Sequence, residues 1–219
     1  MTPILSQFSY IIAIVVFLSA VGFHLSRKNI NLVFLYILQS SAIAVLLFIP
    51  AIQEMDFLLL LAAVLTLAIK AVFAPYFFLR LIRRHELTFT SNAYLSLPLT
   101  LITLALLAGL AYSHVFKSFV DLSGGNMHAV SLAIAAIFVS IFLSINRRGA
   151  LSQIIGVLSL ENTIVALTLF LGVVDSSGLD IGVSFDIGVW VVIAVLFLSM
   201  IYKQFGSLDV STMKKLKEE

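Results

Sequence analysis

Cysteine is absent from the sequence, which removes zinc clusters, iron–sulfur ligation, thiol nucleophiles and disulfides in one stroke. Charge is scarce as well. Only 11% of the 219 residues are Asp, Glu, Lys or Arg, whereas 61% are hydrophobic, and the mean hydropathy is +1.14. A water-soluble domain of this size needs more charge to cover its surface, so the composition points to a membrane protein. A cleavable, positively charged leader is not expected either. Met1–Tyr10 carries no Lys or Arg and no small-residue cleavage site follows the first apolar run, so that run is expected to persist as a helix. Long polar loops are also lacking. The largest pieces outside apolar runs are the 14 residues His114–Met127 and the 17 residues Lys203–Glu219, too small for a catalytic domain. Phosphate-cradling glycine loops, triad spacings and nucleic-acid signatures are absent, and no nucleic-acid partner is expected.

What remains is a succession of apolar runs, each long enough to approach the ~20 residues that span a bilayer. They cover Ile4–Leu25, Ile30–Pro50, Phe57–Leu79, Ala93–Ser113, Met127–Ile145, Ala150–Val174 and Ile187–Tyr202. Charges or turn formers bound each run: Arg27 and Lys28, Glu54 and Asp56, Arg83 and Arg84, Gly124 and Gly125, Arg147 and Arg148, and the stretch Asp175–Asp186. When the connections are placed alternately on two sides, one side collects Arg27, Lys28, Arg80, Arg83, Arg84, Arg147, Arg148, Lys203, Lys214, Lys215 and Lys217. The other holds Lys117 alone. The positive-inside rule makes the basic side cytoplasmic. The expected fold is therefore an all-α bundle of seven transmembrane helices in the cell membrane, N-terminus outside and C-terminus cytoplasmic. Tyr76, Tyr94 and Tyr202 fall near inner ends, and Tyr112 and Trp190 near outer ends, where amphipathic rings sit at the headgroups of the surrounding lipids.

Two ionisable residues fall inside the runs. Lys70 lies ten residues before Arg80, about 15 Å from the inner interface at the helical rise. Glu161 lies 13 residues after Arg148 and 14 before Asp175, near mid-membrane. Each costs ~2.5–3.5 kcal/mol at a helix centre. At 100° per residue Lys70 shares its face with Ala63, Thr66 and Ala74, which lets another helix approach. In the sixth run Ser152, Gly156, Ser159, Thr163 and Ala166 form a narrow stripe of small residues, and Glu161 points roughly 180° from its centre. Both faces of that helix then need protein cover, so the chain is expected to work inside a larger membrane complex.

Two readings of the charges stand open: a buried pair that locks helices, and a proton relay, since desolvation disfavours the charged form of each group. Asn162, Gln153, Ser159, Thr163 and Thr66 are polar enough to hold bridging water. Pro75 and Pro98 remove backbone donors to the Ala71 and Tyr94 carbonyls and are expected to kink their helices. His24 and His85 fall near the inner surface, His114 and His128 near the outer, a placement of interfacial caps and not of a haem site.

The segment Arg148-Gly-Ala-Leu-Ser-Gln-Ile-Ile-Gly-Val-Leu-Ser-Leu-Glu-Asn-Thr163 resembles the signature of the hydrogenase-4 component E family. That resemblance implies a membrane subunit of formate hydrogenlyase-type, group 4 nickel–iron hydrogenase complexes. It implies antiporter-like and other membrane subunits as partners, with a peripheral redox arm on the cytoplasmic side. No cofactor is expected in this chain; the nickel–iron centre and iron–sulfur clusters belong to partner subunits. The C-terminal part is similar to the K-type subunit of respiratory complex I and the C-type subunit of multisubunit sodium/proton antiporters. There an acid in a glycine-led helix joins the proton path. Gly156 and Asn162 fit that spacing, Glu161 lies three residues later than the family's acid, and the seventh run offers only Asp186 at its edge.

The expected organisation is a four-helix part over residues 1–126 carrying Lys70, a three-helix part over 127–202 carrying Glu161, and a basic tail over 203–219. The expected role is non-catalytic: proton or sodium translocation and membrane-arm assembly, with Glu161, Lys70, Asn162, Thr66 and Gln153 as the pathway. The alternatives are an assembly subunit with the charges as a helix lock, a subunit of a cation/proton antiporter, or a self-contained transporter. The last predicts inverted halves, which the sequence does not display.

Overall fold

The computed structural model describes residues 3–53, 55–87, 89, 93–121, 127–172, 194–195, 197–203, 206 and 208. Six apolar helices organise them. They are α1 (Pro3–Leu25), α2 (Asn29–Gln53), α3 (Phe57–Arg84), α4 (Leu97–Ala111), α5 (Met127–Asn146) and α6 (Ala150–Phe170). Five of these, all but α4, are long and apolar enough to cross a membrane. There is no strand among the described residues; isolated bridges join Lys28 to Phe89 and Ala93 to Arg147. The protein is helical and of multi-pass membrane type.

The expected seventh helix is described only at residues 194–195 and 197–203, which are helical. Its beginning at Ile187, the stretch Asp175–Asp186, Glu54, Gly124 and Gly125, Trp190, and most of the tail 203–219 lie outside the described residues.

Of the two prolines expected to kink their helices, Pro98 has a different role. Pro98 falls in the first turn of α4, where its missing N–H leaves nothing unpaired. It starts a helix there. The residues before it are not helical: Tyr94 N–H donates to the Asn146 carbonyl at 2.8 Å, and Leu95 N–H to Asn146 Oδ1 at 3.0 Å. The fourth run thus shortens from Ala93–Ser113 to Leu97–Ala111, about 22 Å of helix at 1.5 Å per residue. Pro75 sits inside α3, just past a π-helical segment, Leu67–Phe73, where Ala74 N–H reaches back five residues to the Ile69 carbonyl. The wider register accommodates the residue that cannot donate.

The described basic connections gather at one end. Asn29 donates to the Leu87 and Phe89 carbonyls, both at 2.9 Å, Ala150 N–H to the Leu208 carbonyl at 3.0 Å, and the Tyr202 hydroxyl to the His85 carbonyl at 3.2 Å. At the opposite end Asp56 caps α3, its Oδ1 accepting from the Leu58 and Leu59 amides at 2.8 and 3.1 Å. Among the described residues, the basic connections and the Asp56 cap thus lie at different ends of the bundle.

Two apolar cores fill the interior. One holds Ala20, Ile43, Ala63, Val139 and Ala166; the other holds Phe23, Tyr36, Ala74, Leu143 and Leu158. Helices α5 and α6 approach each other closely. Gly156 lies against Ser144: a Cβ there would stand 2.5 Å from Ser144 Oγ, 3.1 Å from its nitrogen and 3.3 Å from its Cα. Membrane helices pack through such small residues because lipid provides no hydrophobic drive between them. Gly156→Ala is expected to cost about 1–3 kcal/mol by overpacking, read as a lower melting temperature in detergent, with Ser144→Gly in the same chain recovering part of the loss.

Candidate functional site

Between the two apolar cores lies a layer of buried polar side chains. On α2, Gln39 and Ser40 separate Tyr36 from Ile43; on α3, Thr66 and Lys70 separate Ala63 from Ala74. On α5, Ser140 separates Val139 from Leu143; on α6, Ser159, Asn162 and Thr163 separate Leu158 from Ala166. Four helices thus contribute polar groups at one level of the bundle, about midway along each.

Lys70 is the centre of that layer. Its side chain is 2% exposed, carried on the π-helical segment of α3. Nζ donates to Glu161 Oε1 in an ion pair and to Asn162 Oδ1 at 3.1 Å. Asn162, fully buried, passes the connection on: its amide nitrogen donates to Ser40 Oγ at 3.0 Å and reaches Gln39 Oε1 at 3.5 Å. Gln39 in turn donates to the Val16 carbonyl of α1 at 3.3 Å. The Ser140 and Ser159 hydroxyls pair at 2.8 Å beside it. An unbroken run of polar contacts therefore leads from α1 through α2 and α6 to α3. A buried network is stable only when its members are satisfied, and the named contacts meet that demand.

The two charged partners are not equally enclosed. Glu161 is 23% exposed, on a face of α6 where Val157 and Ile164 are 40% and 46% exposed. Lys70 faces inward and Glu161 sits at the flank. The small stripe on α6, Ser152, Gly156, Ser159, Thr163 and Ala166, is buried throughout.

Of the pathway residues expected from the sequence, Lys70, Glu161 and Asn162 are in direct contact. Thr66 is buried one turn before Lys70. Gln153 stands apart: it donates to the Arg147 carbonyl at 2.8 Å in the first turn of α6, a local anchor remote from Lys70. The sequence reading missed Gln39 and Ser40, although an amide amid the 25 apolar-rich residues of α2 was a signal equal to that of Asn162.

Arg147 was also misread, as a charge serving only topology. It is buried, and its Nη2 donates to the carbonyls of Phe23, His24 and Ser26 at 2.8, 2.7 and 2.9 Å. It closes the C-terminal end of α1, where carbonyls lack helical partners. His24 likewise is no surface cap: it is buried, hydrogen-bonded through Nε2 with the Val139 carbonyl at 3.1 Å and stacked on Phe142. Among the described residues no group of three His, Asp or Glu lies close enough to hold a metal ion.

Over 188 residues the chain is 25% identical to uncharacterized protein Rv0085 of Mycobacterium tuberculosis, a similarity covering 82% of each chain. No family model matches the chain, and no solved structure matches it.

Removing Lys70 alone strands a carboxylate. Lys70→Met is expected to destabilise the purified protein by about 3 kcal/mol, the low end for breaking a buried pair because Glu161 is partly exposed. Adding Glu161→Gln should restore most of it. Unfolding in detergent reads both; equal stability of the single variant and the parent would show that removing Lys70 leaves no uncompensated carboxylate at Glu161.

Proposed function

We propose that the protein is a non-catalytic membrane subunit of a hydrogenase- or formate hydrogenlyase-type energy-converting complex. In this reading it crosses the cell membrane seven times, with its N-terminus outside and its C-terminus in the cytoplasm. Lys70 and Glu161 take part in lateral movement of protons, or of sodium coupled to them, across the membrane arm. Redox chemistry belongs to a peripheral arm of other subunits, which would hold the nickel–iron centre and the iron–sulfur clusters.

The observation that carries this reading is the ion pair itself, embedded in a polar layer between two apolar cores and open on one flank at Glu161. Passing one proton from Nζ to Oε1 turns an ion pair into two neutral groups. Both states leave the layer without net charge, so neither carries the full cost of an isolated buried ion. Asn162 holds the amine in either state, because its Oδ1 accepts from Nζ independently of Glu161. What shifts the balance would be the approach or withdrawal of charge on a neighbouring subunit at the Glu161 flank. The gathering of basic connections at one end is what the positive-inside rule requires of the cytoplasmic side. The resemblance of residues 148–163 to the component E signature supplies the kind of complex.

A second reading, a helix lock for assembly, draws on the fact that both acceptors of Lys70 belong to α6. The whole complex separates the two. Glu161→Gln and Lys70→Met are expected to leave it assembled and electron transfer running while slowing ion translocation by about 10²-fold, the scale of losing one positioned proton-transfer group. Unchanged translocation at unchanged turnover removes the relay. Loss of assembly in both variants, recovered by exchanging the two charges, establishes the lock.

A further inference from the structure

At the basic end of the bundle a cleft of about 780 Å³ opens between the ends of α1 and α5 and the start of α4. Three arginines line it, Arg27, Arg147 and Arg148, and none of its described lining residues is acidic. Their charges are not equally engaged. Arg147 is turned to the three carbonyls that end α1. Arg27 is exposed. Arg148 lies with its guanidinium 4.7 Å from the centroid of the Tyr94 ring, a cation–π contact that fixes its plane. Its Nε is buried and has no hydrogen-bond partner among the described residues. His24, itself buried, also lines the cleft, with its Nδ1 in the same condition.

The rim is of another character. Leu25 and Leu97 line the same cleft and are each 48% exposed. They belong to the last residue of one apolar helix and the first of another, so they stand at the level where hydrocarbon meets headgroups. A cationic recess bordered by exposed leucines at that depth has two requirements in its occupant, an anion and an apolar extension.

We propose that this cleft binds a phosphate group, supplied by an anionic phospholipid of the leaflet facing the basic end. Guanidinium groups match phosphate oxygens through parallel N–H donors, and the volume lies within the 300–1,000 Å³ usual for small-ligand sites. Arg27 and Arg148 take the phosphate, and the acyl chains run along Leu25 and Leu97 beside the helices. Basic recesses between membrane helices on the cytoplasmic side suit such headgroups. A soluble phosphate ester shares the anion but leaves the leucines unsatisfied. The inference rests on the membrane-crossing reading of the helices and is independent of ion translocation.

The test uses the full chain in mild detergent, with phosphatidylglycerol, phosphatidylcholine, inorganic phosphate and a polyglutamate peptide as probes. Native mass spectrometry and melting temperature are the readouts. Phosphatidylglycerol is expected to be retained and to raise the melting temperature, and phosphatidylcholine to do neither. The double variant Arg27→Gln/Arg148→Gln should weaken retention about tenfold or more, and Arg148→Lys, which keeps charge but loses the planar fork, by less. Arg83→Gln, exposed at the same end and outside the cleft, should change nothing. Inorganic phosphate acting with the same arginine dependence supports the phosphate site and assigns it a soluble source. Equal effects of both lipids, or phosphatidylglycerol retention indifferent to the double variant, overturn the proposal. So does arginine-dependent binding of polyglutamate without binding of phosphatidylglycerol, which would give the cleft to an acidic protein segment.

Discussion

An ammonium group held inside a bundle of apolar helices needs an anion and additional acceptors, or it must lose its proton. Lys70, 2% exposed, imposes that condition on this protein, and much of the packing follows from how it is met. Glu161 brings the charge and Asn162 the carbonyl oxygen, from adjacent positions on α6. Asn162 then has amide hydrogens of its own to satisfy, and Ser40 and Gln39 of α2 take them. Helices α2, α3 and α6 are thereby held in one mutual register, since a slip along any axis would separate a donor from its acceptor. The π-helical segment belongs to the same account. It carries Lys70 and ends just before Pro75, so the irregular turn that admits the proline also sets the direction in which the amine points.

Much of this was legible in the sequence, and the part that was not has a physical reason. Hydropathy identified the apolar runs, because the length needed to cross hydrocarbon is a property of each segment alone. Lys70 and Glu161 stood out for the same reason: an ionisable group in such a run is costly whatever surrounds it. The choice of neighbours is another matter. Gln39 and Ser40 carry no charge, and periodicity on one helix does not say which face of a second helix lies opposite. Gln153 was grouped with the site because it is polar and close in sequence to Glu161, yet two turns of helix place it at the bundle's end with the Arg147 carbonyl. Pro98 was read as interrupting a helix when it begins one. The residues ahead of it are held out of the helix by Asn146, a contact across some fifty residues that no local pattern encodes.

Arginine at the basic end illustrates how one residue type serves two constraints of the same sign. The retained side of a membrane protein collects Lys and Arg. The C-terminal ends of helices arriving there expose unpaired carbonyls and the negative pole of the helix dipole. Arg147 answers both, contributing its charge to the basic side while three carbonyls at the end of α1 draw in its guanidinium. Arg148, next in sequence, is held instead by the face of Tyr94. Counting charges by side treats the two as equivalent. Only their partners distinguish a cation already engaged from one available to an anion.

The asymmetry of the central pair bears most directly on what it does. A lock gains from enclosing both members, because desolvated charges attract more strongly and nothing competes for them. A relay needs one member within reach of an exchange partner and the other shielded, so that the proton has an entrance and a destination. Lys70 is enclosed, and Glu161 retains 23% exposure on a flank of otherwise apolar side chains. A carboxylate so placed would be badly solvated by acyl chains, which is a reason for a neighbouring subunit to cover it. Behind it, the polar contacts continue away from that flank through Asn162 and Gln39 towards α1. The layer therefore runs across the bundle, transverse to the helices that carry it. In the role proposed above, that direction would suit transfer between neighbouring subunits better than transfer from one side of the membrane to the other within this chain.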